Sequence, residues 1–153
     1  MSRPIEDYGF IGNMLSAALV SRDGSIDWLC LPRFDSPSCF GALLDSRHGG
    51  RFRIRPADAF QSARRYLPDT NVLETTFETA SGAVVLRDLM PVASEVEKRA
   101  GLIPEHEVLR EVEGLAGEVA LDVFYEVRPG YGRSSPALRN RGALGLYCEA
   151  EGA

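Results

Sequence analysis

Three times along the chain a run of extended, partly alternating apolar residues meets a second one across a two-residue turn carrying glycine, and no other feature restricts the fold as much. The first such turn, Asp23-Gly24, joins "LSAALVSR" to "SIDWLCLP". With those two residues as the loop, Arg22 faces Ser25. Counting outward sets Leu19 opposite Trp28 and Ala17 opposite Cys30 on one face, the expected core side. The second turns at Ser81-Gly82 and sets Phe77 opposite Leu86 and Leu73 opposite Met90. Glu74, Thr76, Glu78 and Arg87 line its other face, as in a half-buried antiparallel pair. The third turns at Ala116-Gly117 within "VLREVEGLAGEVALDVFYEV" and pairs Val112 with Leu121 and Val108 with Tyr125.

Further short strands are expected at "RFRIRP" and "GLYCEA". Helical signal is confined to "PSCFGALLDS", ended by Gly49-Gly50, and "SEVEKRAG". Many strands, glycine-marked turns and little helix predict an all-β fold, an antiparallel β-sandwich with one or two short helical turns. With 153 residues and 44% apolar content, the chain is expected to bury one core over 1–153 as a single domain. The stretches 93–105 and 128–143 are expected to be surface loops.

Composition narrows the partners. A net charge of -5 offers no electrostatic footprint for nucleic acid or anionic lipid. No apolar run approaches the roughly 20 residues of a membrane span, and "MSRPIEDYGF" lacks the apolar core of a secretory signal, so a cytoplasmic location is expected. Cys30, Cys39 and Cys148 are odd in number and lack metal-ligand spacing, which points to inert thiols, with no metal and no cofactor.

The chain lacks a phosphate-binding glycine loop, a G-x-S-x-G elbow and an H-E-x-x-H pair. His48 precedes Gly49-Gly50 at an expected helix end, where a cation suits the dipole, and His106 leads into a strand. Asp27, Asp35, Asp45 and Asp88 are scattered over hairpins and loops, and nothing in their spacing aims two of them at one glycosidic bond. No catalytic residue is therefore assigned. Two charged residues break the alternation: Asp88 falls on the face of Phe77 and Leu86, and Arg110 on the face of Val112 and Leu121. Either they turn outward at strand ends or they meet in the core as a charge-assisted pair, since neither is tolerated there alone. Trp28, facing Leu19 across a hairpin, is expected in the core, with stacking on a sugar ring as the other reading.

The phrases "PIEDYGFIGNMLSAALVSRDGSIDWLCLPRFDSPSCFGALLD", "GGRFRIRP", "RRYLPDTNVLETTFETASGAVVLRDLMP" and "LREVEG", in that order from Pro4 to Gly117, resemble the amino-terminal region of bacterial glucoamylase-like and trehalase-like enzymes of glycoside hydrolase family fifteen. The resemblance implies a β-sandwich preceding an (α/α)6 barrel, with both catalytic glutamates in the barrel and none in this segment. It implies the barrel as partner, and a scaffolding role in α-glucoside hydrolysis. Under it, "LPRFDSP" is a loop whose prolines stiffen both ends and present Arg33, Phe34 and Asp35 to the barrel, near the substrate. Two alternatives stand beside it. One is a stand-alone carbohydrate-binding module that stacks an α-glucoside on Tyr8, Phe10, Trp28 or Tyr131. The other is a homodimer built over an apolar patch or an open strand edge.

Overall fold

The computed structural model describes residues 4–101 and 105–149. Twelve strands are seen among them: β1 (Tyr8–Gly12), β2 (Ala17–Ser21), β3 (Ser25–Cys30), β4 (Ser38–Phe40), β5 (Arg51–Pro56), β6 (Phe60–Tyr66), β7 (Leu73–Thr79), β8 (Gly82–Leu89), β9 (Leu109–Gly117), β10 (Leu121–Glu126), β11 (Arg139–Asn140) and β12 (Leu146–Tyr147). A six-stranded sheet runs β1-β2-β3-β5-β10 with β4 on β3, and a four-stranded sheet runs β6-β7-β8-β9. All pairings are antiparallel. The two sheets stack through one core of Ile11, Ala18, Val20, Ile26, Leu29, Phe40, Leu73 and Met90, and a second of Ile54, Phe77, Val84 and Leu86. The fold is the antiparallel all-β sandwich that the turn pattern predicts.

The first hairpin differs from expectation in an instructive way. Gly24 adopts φ +72° and its N–H donates to the Ser21 carbonyl at 3.0 Å, so the loop has three residues and the register begins one off. Asp27 is then the extra residue of a β-bulge, which restores the expected pairing of Leu19 with Trp28. The face, however, is the reverse of the one expected. Ala18, Val20, Ile26 and Leu29 point into the core, while Leu19 and Trp28 lie half-buried on the outer face. Both faces of "SAALVS" are apolar or small, so alternation cannot choose between them.

In the second hairpin the loop is Ala80-Ser81, because Thr79 Oγ1 accepts from the N–H groups of Ser81 and Gly82 at 3.3 and 3.1 Å. Phe77 therefore pairs with Val84 and Leu73 with Asp88, a slip of two that leaves every residue on its expected face. Gly82 is needed for a different reason: a Cβ there would lie 2.3 Å from the Ala116 carbonyl of β9. The third hairpin does not form. Its two runs separate at Gly117 (φ +63°), β9 joining β8 in one sheet and β10 joining β5 in the other. The linker is held by Glu118 N–H on Ser81 O at 3.2 Å and Ala57 N–H on Ala120 O at 2.9 Å.

Of the expected helical turns, Glu95–Ala100 forms α1 with a full capping box between Ser94 and Glu97. Ser38–Phe40 is instead the strand β4, followed by a turn in which Asp45 N–H reaches Gly41 O at 3.2 Å. "GLYCEA" contributes β12, paired with β11, and its Ala150 lies outside the described residues, as do 102–104 of the loop expected over 93–105. The expected loop over 128–143 also contains β11 and a tight turn with Gly130 and Tyr131 at φ 62°.

Candidate functional site

The chain between Pro32 and Pro37 folds back on itself. Arg33 donates to Asp35 through Nε to Oδ1 at 2.9 Å and Nη2 to Oδ2 at 3.3 Å. Ser36 closes the loop, its N–H on the Arg33 carbonyl and its Oγ accepting the Arg33 N–H, both at 3.1 Å. Phe34 N–H donates to the Leu15 carbonyl at 3.1 Å, which docks the loop on the β1–β2 turn. That turn is itself fixed by Asn13, whose Oδ1 accepts from Leu15 and Ser16 N–H and whose Nδ2 donates to the Glu105 carbonyl at 2.6 Å. Ser16 Oγ donates a short hydrogen bond to the Cys30 carbonyl.

The consequence is an anchored apolar surface. Met14, Leu15 and Phe34 are all exposed, and with Arg33 and Asp35 they line one shallow hollow. Sequence reasoning singled out the second loop and missed Met14 and Leu15. The available signal was Asn13 and Ser16 flanking two large apolar residues in a turn. The Arg33 hydrogen bond holds the Asp35 carboxyl below its ordinary range. An ion pair this exposed adds little to stability.

The four aromatic candidates fall near one face of the six-stranded sheet. Phe10 sits opposite Leu19, and Leu19 opposite Trp28, forming a row across β1, β2 and β3. Tyr8 lies two residues before Phe10 and donates from its hydroxyl to Asp27 Oδ2 at 2.9 Å. Tyr131 approaches the row's far end, its hydroxyl 3.9 Å from Cys30 Sγ. The cysteines are unpaired, and burial pushes the Cys30 and Cys39 thiols up. Among the described residues no group of three His, Cys, Asp or Glu is disposed to hold a metal, and no helix is long and apolar enough to cross a membrane.

Each carboxylate weighed for acid-base work has a partner of its own. Asp27 is buried under Tyr8 and Ser25, with Ser25 Oγ on Oδ1 at 2.6 Å. Asp45 accepts from His48, 2.9 Å from Nδ1, and that hydrogen bond with two backbone N–H groups holds its carboxyl down to about 2. His48 therefore serves a turn rather than the helix end expected for it. A carboxyl held that low is ionised at neutral pH and has no proton to give.

Asp88 and Arg110 face each other across β8 and β9, with side chains 0% and 2% exposed. Arg110 Nε donates to Asp88 Oδ1 at 2.6 Å and Nη2 to Oδ2 at 3.2 Å. The guanidinium also donates to the carbonyls of Phe52 and Gly24, both at 2.7 Å, and lies 4.7 Å from the Phe52 ring centre. It thus ties β9 in one sheet to β5 and the β2–β3 turn in the other. Burial pushes the Asp88 carboxyl up, against the pull of Arg110. This arrangement is structural: all the donors of the pair point into the protein.

Comparison with known proteins supplies what the geometry alone does not. The model of trehalase-like N-terminal domains matches residues 1–147. A trehalase of Mycolicibacterium smegmatis is 40% identical over 143 residues, covering 86% of this chain and 21% of that protein. Trehalase 1 of Sulfolobus acidocaldarius is 52% identical over 88 residues, covering 57% of this chain and 15% of that protein. A trehalase of Thermoplasma volcanium is 36% identical over 138 residues, 88% of this chain and 21% of that protein. The chain thus spans about a fifth of the length of most of these relatives. No solved structure matches it.

Proposed function

The chain belongs to the family of trehalase-like N-terminal domains, and from that membership we propose that it is the non-catalytic β-sandwich of a trehalase- or glucoamylase-type glycoside hydrolase. Its work is to scaffold the α-glucoside-cleaving part of the longer polypeptide and to present it with a preformed surface, in the cytoplasm, where three free thiols persist. The observation that carries this reading is the Pro32–Pro37 loop. Phe34, Met14 and Leu15 stand exposed, yet the backbone beneath them is fixed by N–H groups donating to Asn13 Oδ1, Ser36 Oγ and the Leu15 carbonyl. Ordering such a surface in advance lowers the entropy cost of docking a partner on it. The carboxylates agree with the reading, since Asp27, Asp35, Asp45 and Asp88 are each engaged by separate local partners.

The test replaces Arg33, Phe34 and Asp35 by alanine, in this chain and in a full-length trehalase carrying it as its first domain. In the isolated chain the melting temperature is expected to stay within the range of a surface change, about 0.5 kcal/mol. In the full-length enzyme, truncating such an anchor costs about 2 kcal/mol or more of association and lowers activity. An isolated chain that unfolds beside an indifferent enzyme sinks the proposal, and so does trehalose hydrolysis by the chain alone that is lost on mutating Asp27 or Asp35.

A second reading has its own observation, the row of Phe10, Leu19 and Trp28 beside the Tyr8–Asp27 hydrogen bond. As a carbohydrate-binding module the domain would stack an α-glucoside there. Tryptophan fluorescence that shifts on adding trehalose or maltose favours that reading, and an unchanged spectrum favours the scaffold.

A further inference from the structure

The turn that carries Met14 and Leu15 borders a second hollow besides the one it shares with Phe34. Pro91, Val92, Lys98 and Glu105 line it together with those two residues. Met14 stands 89% exposed at φ +71°, and Val92 is 67% exposed. A left-handed backbone is costly for a residue with a Cβ and favours glycine, and such a position persists only where its surroundings enforce it. Asn13 enforces it here: its N–H donates to the Ser16 carbonyl at 3.2 Å, and its Oδ1 accepts from Leu15 and Ser16 N–H at 3.2 and 3.0 Å. The fold thus keeps a long apolar side chain in solvent at a position suited to glycine.

α1 is equally without an internal reason. None of its residues is buried, and a helix this short does not hold itself together in water. Its support comes from the capping box and from Lys98, whose Nζ donates to Glu105 Oε1 at 2.6 Å and Glu95 Oε1 at 3.1 Å. Glu105 is fixed in turn through its carbonyl, which accepts from Asn13 Nδ2 at 2.6 Å. One buried asparagine therefore sets both walls of the hollow, the Met14–Leu15 turn through Oδ1 and α1 through Glu105. At the rim, Glu95 and Glu105 share the single cation of Lys98.

We propose that this second hollow is part of the docking surface: the polypeptide that follows this segment in the longer trehalases seats across Met14, with one apolar side chain against Phe34, another against Val92, and a basic residue at Glu95 and Glu105. The inference rests on the reading of the chain as a docking scaffold. Met14 and Leu15 line both hollows, so the two form one continuous surface. The surplus carboxylate at the rim calls for a cation from the partner. The chain covers 21% of the Mycolicibacterium smegmatis trehalase, which leaves ample polypeptide to reach it. A tethered segment has an effective concentration of about millimolar, so it outcompetes a second copy of the chain.

Peroxide footprinting tests this in a full-length trehalase carrying this chain as its first domain, with the chain alone as the exposed reference. Peroxide converts an accessible thioether to the sulfoxide, and Met90, 3% exposed, is the slow internal standard. In the chain alone Met14 is expected to oxidise on the order of 10-fold or more faster than Met90, and in the full-length enzyme at about the rate of Met90. Met14 as reactive in the full-length enzyme as in the chain alone overturns the proposal, and so does a Met14 already slow in the dilute chain. Slowing that appears only when the chain alone is concentrated makes a second copy the occupant and also overturns it. Met14→Gly and Val92→Asp give a second measurement. Glycine suits φ +71°, so Met14→Gly is expected to melt no lower than the parent chain. In the full-length enzyme each variant is expected to lower activity on the order of 10-fold, as loss of a docking anchor does, and unchanged activity in both overturns the proposal. If replacing Arg33, Phe34 and Asp35 lowers activity while Met14 stays reactive, the scaffold reading stands and the second hollow has no part in it.

Discussion

The two sides of this sandwich solve the same problem with different means. At β1 an exposed strand edge meets the hydroxyl of Tyr66 and the amide of Asn71, and beside it the guanidinium of Arg64 donates to the carbonyls of Asp7 and Val20, all three side chains drawn from β6 and the turn after it. Among the described residues no side chain hydrogen-bonds to the backbone of β9 or β10, and the inward residues Val112, Leu121, Val123 and Tyr125 are exposed. Chemically the segments are not so different, since each carries charged residues and aromatics. What differs is whether side chains of the described residues reach the backbone at the edge. A strand edge capped by side chains is finished, whereas an edge with exposed apolar residues facing inward is left open.

The largest effect expected from this comparison concerns Arg110, the inward charge that anchors the open side. Arg110→Ala leaves the Asp88 carboxylate buried without its partner and frees β9 from the Phe52 and Gly24 carbonyls. Breaking a buried pair by removing one member costs about 3–5 kcal/mol. Replacing both residues with Leu at Asp88 and Met at Arg110 should recover most of that loss, because two apolar side chains of similar volume need no partner. Chemical denaturation of the three variants reads the difference. A small loss in Arg110→Ala would mean that β9 is held by other contacts and that the open side is as firmly built as the closed one.

How much of this was legible in the residues follows from the same parts. The shared face of Asp88 and Arg110 was readable because each lies two residues from an apolar residue of the expected core face, Leu86 and Val112, although the strand pairing that joins them is β8 with β9 and not the hairpin of β9 with β10. Turn chemistry signals that the chain reverses, but in a sandwich it does not say whether the next run returns to the same sheet or crosses to the other. The core face of β2 and β3 was misassigned because small and apolar residues occupy both faces there. β6 went unseen because "FQSARRY" is mostly polar, as suits an edge strand, and with it went Tyr66 and the closure of β1. The exposed pair Met14 and Leu15 needed the docking of one turn on another, a nonlocal fact.

A medium effect sharpens the closed side. Tyr66→Phe keeps the ring and removes the hydroxyl that serves both backbone groups of Phe10. Since the site is exposed, water replaces part of the loss, and the net cost is about 1 kcal/mol. For a chain of this size that corresponds to a drop of about 2–4 °C in melting temperature. The hydrogen exchange of Phe10 should rise with it. If the Phe10 amide stays protected in the variant, β1 is covered by something other than Tyr66, and the contrast between the two sides loses its physical basis.

The smallest expected effect is the most informative about the open side. Val123 faces inward opposite Ile54, a position where a sandwich normally tolerates no charge, yet it is largely exposed here. In Val123→Lys the lysine stem can lie along the apolar surface of Leu121 and Tyr125 while the ammonium stays in water. The variant is therefore expected to unfold within about 0.5 kcal/mol of the parent, as surface changes do. A charge on an edge strand also discourages pairing with another chain, so any tendency of the isolated domain to associate at high concentration should fall. The measurement is a denaturation curve beside a sedimentation series for the two proteins. A loss of several kcal/mol would show that β10 already buries its inner face in this chain. The side described as open would then be a second closed one.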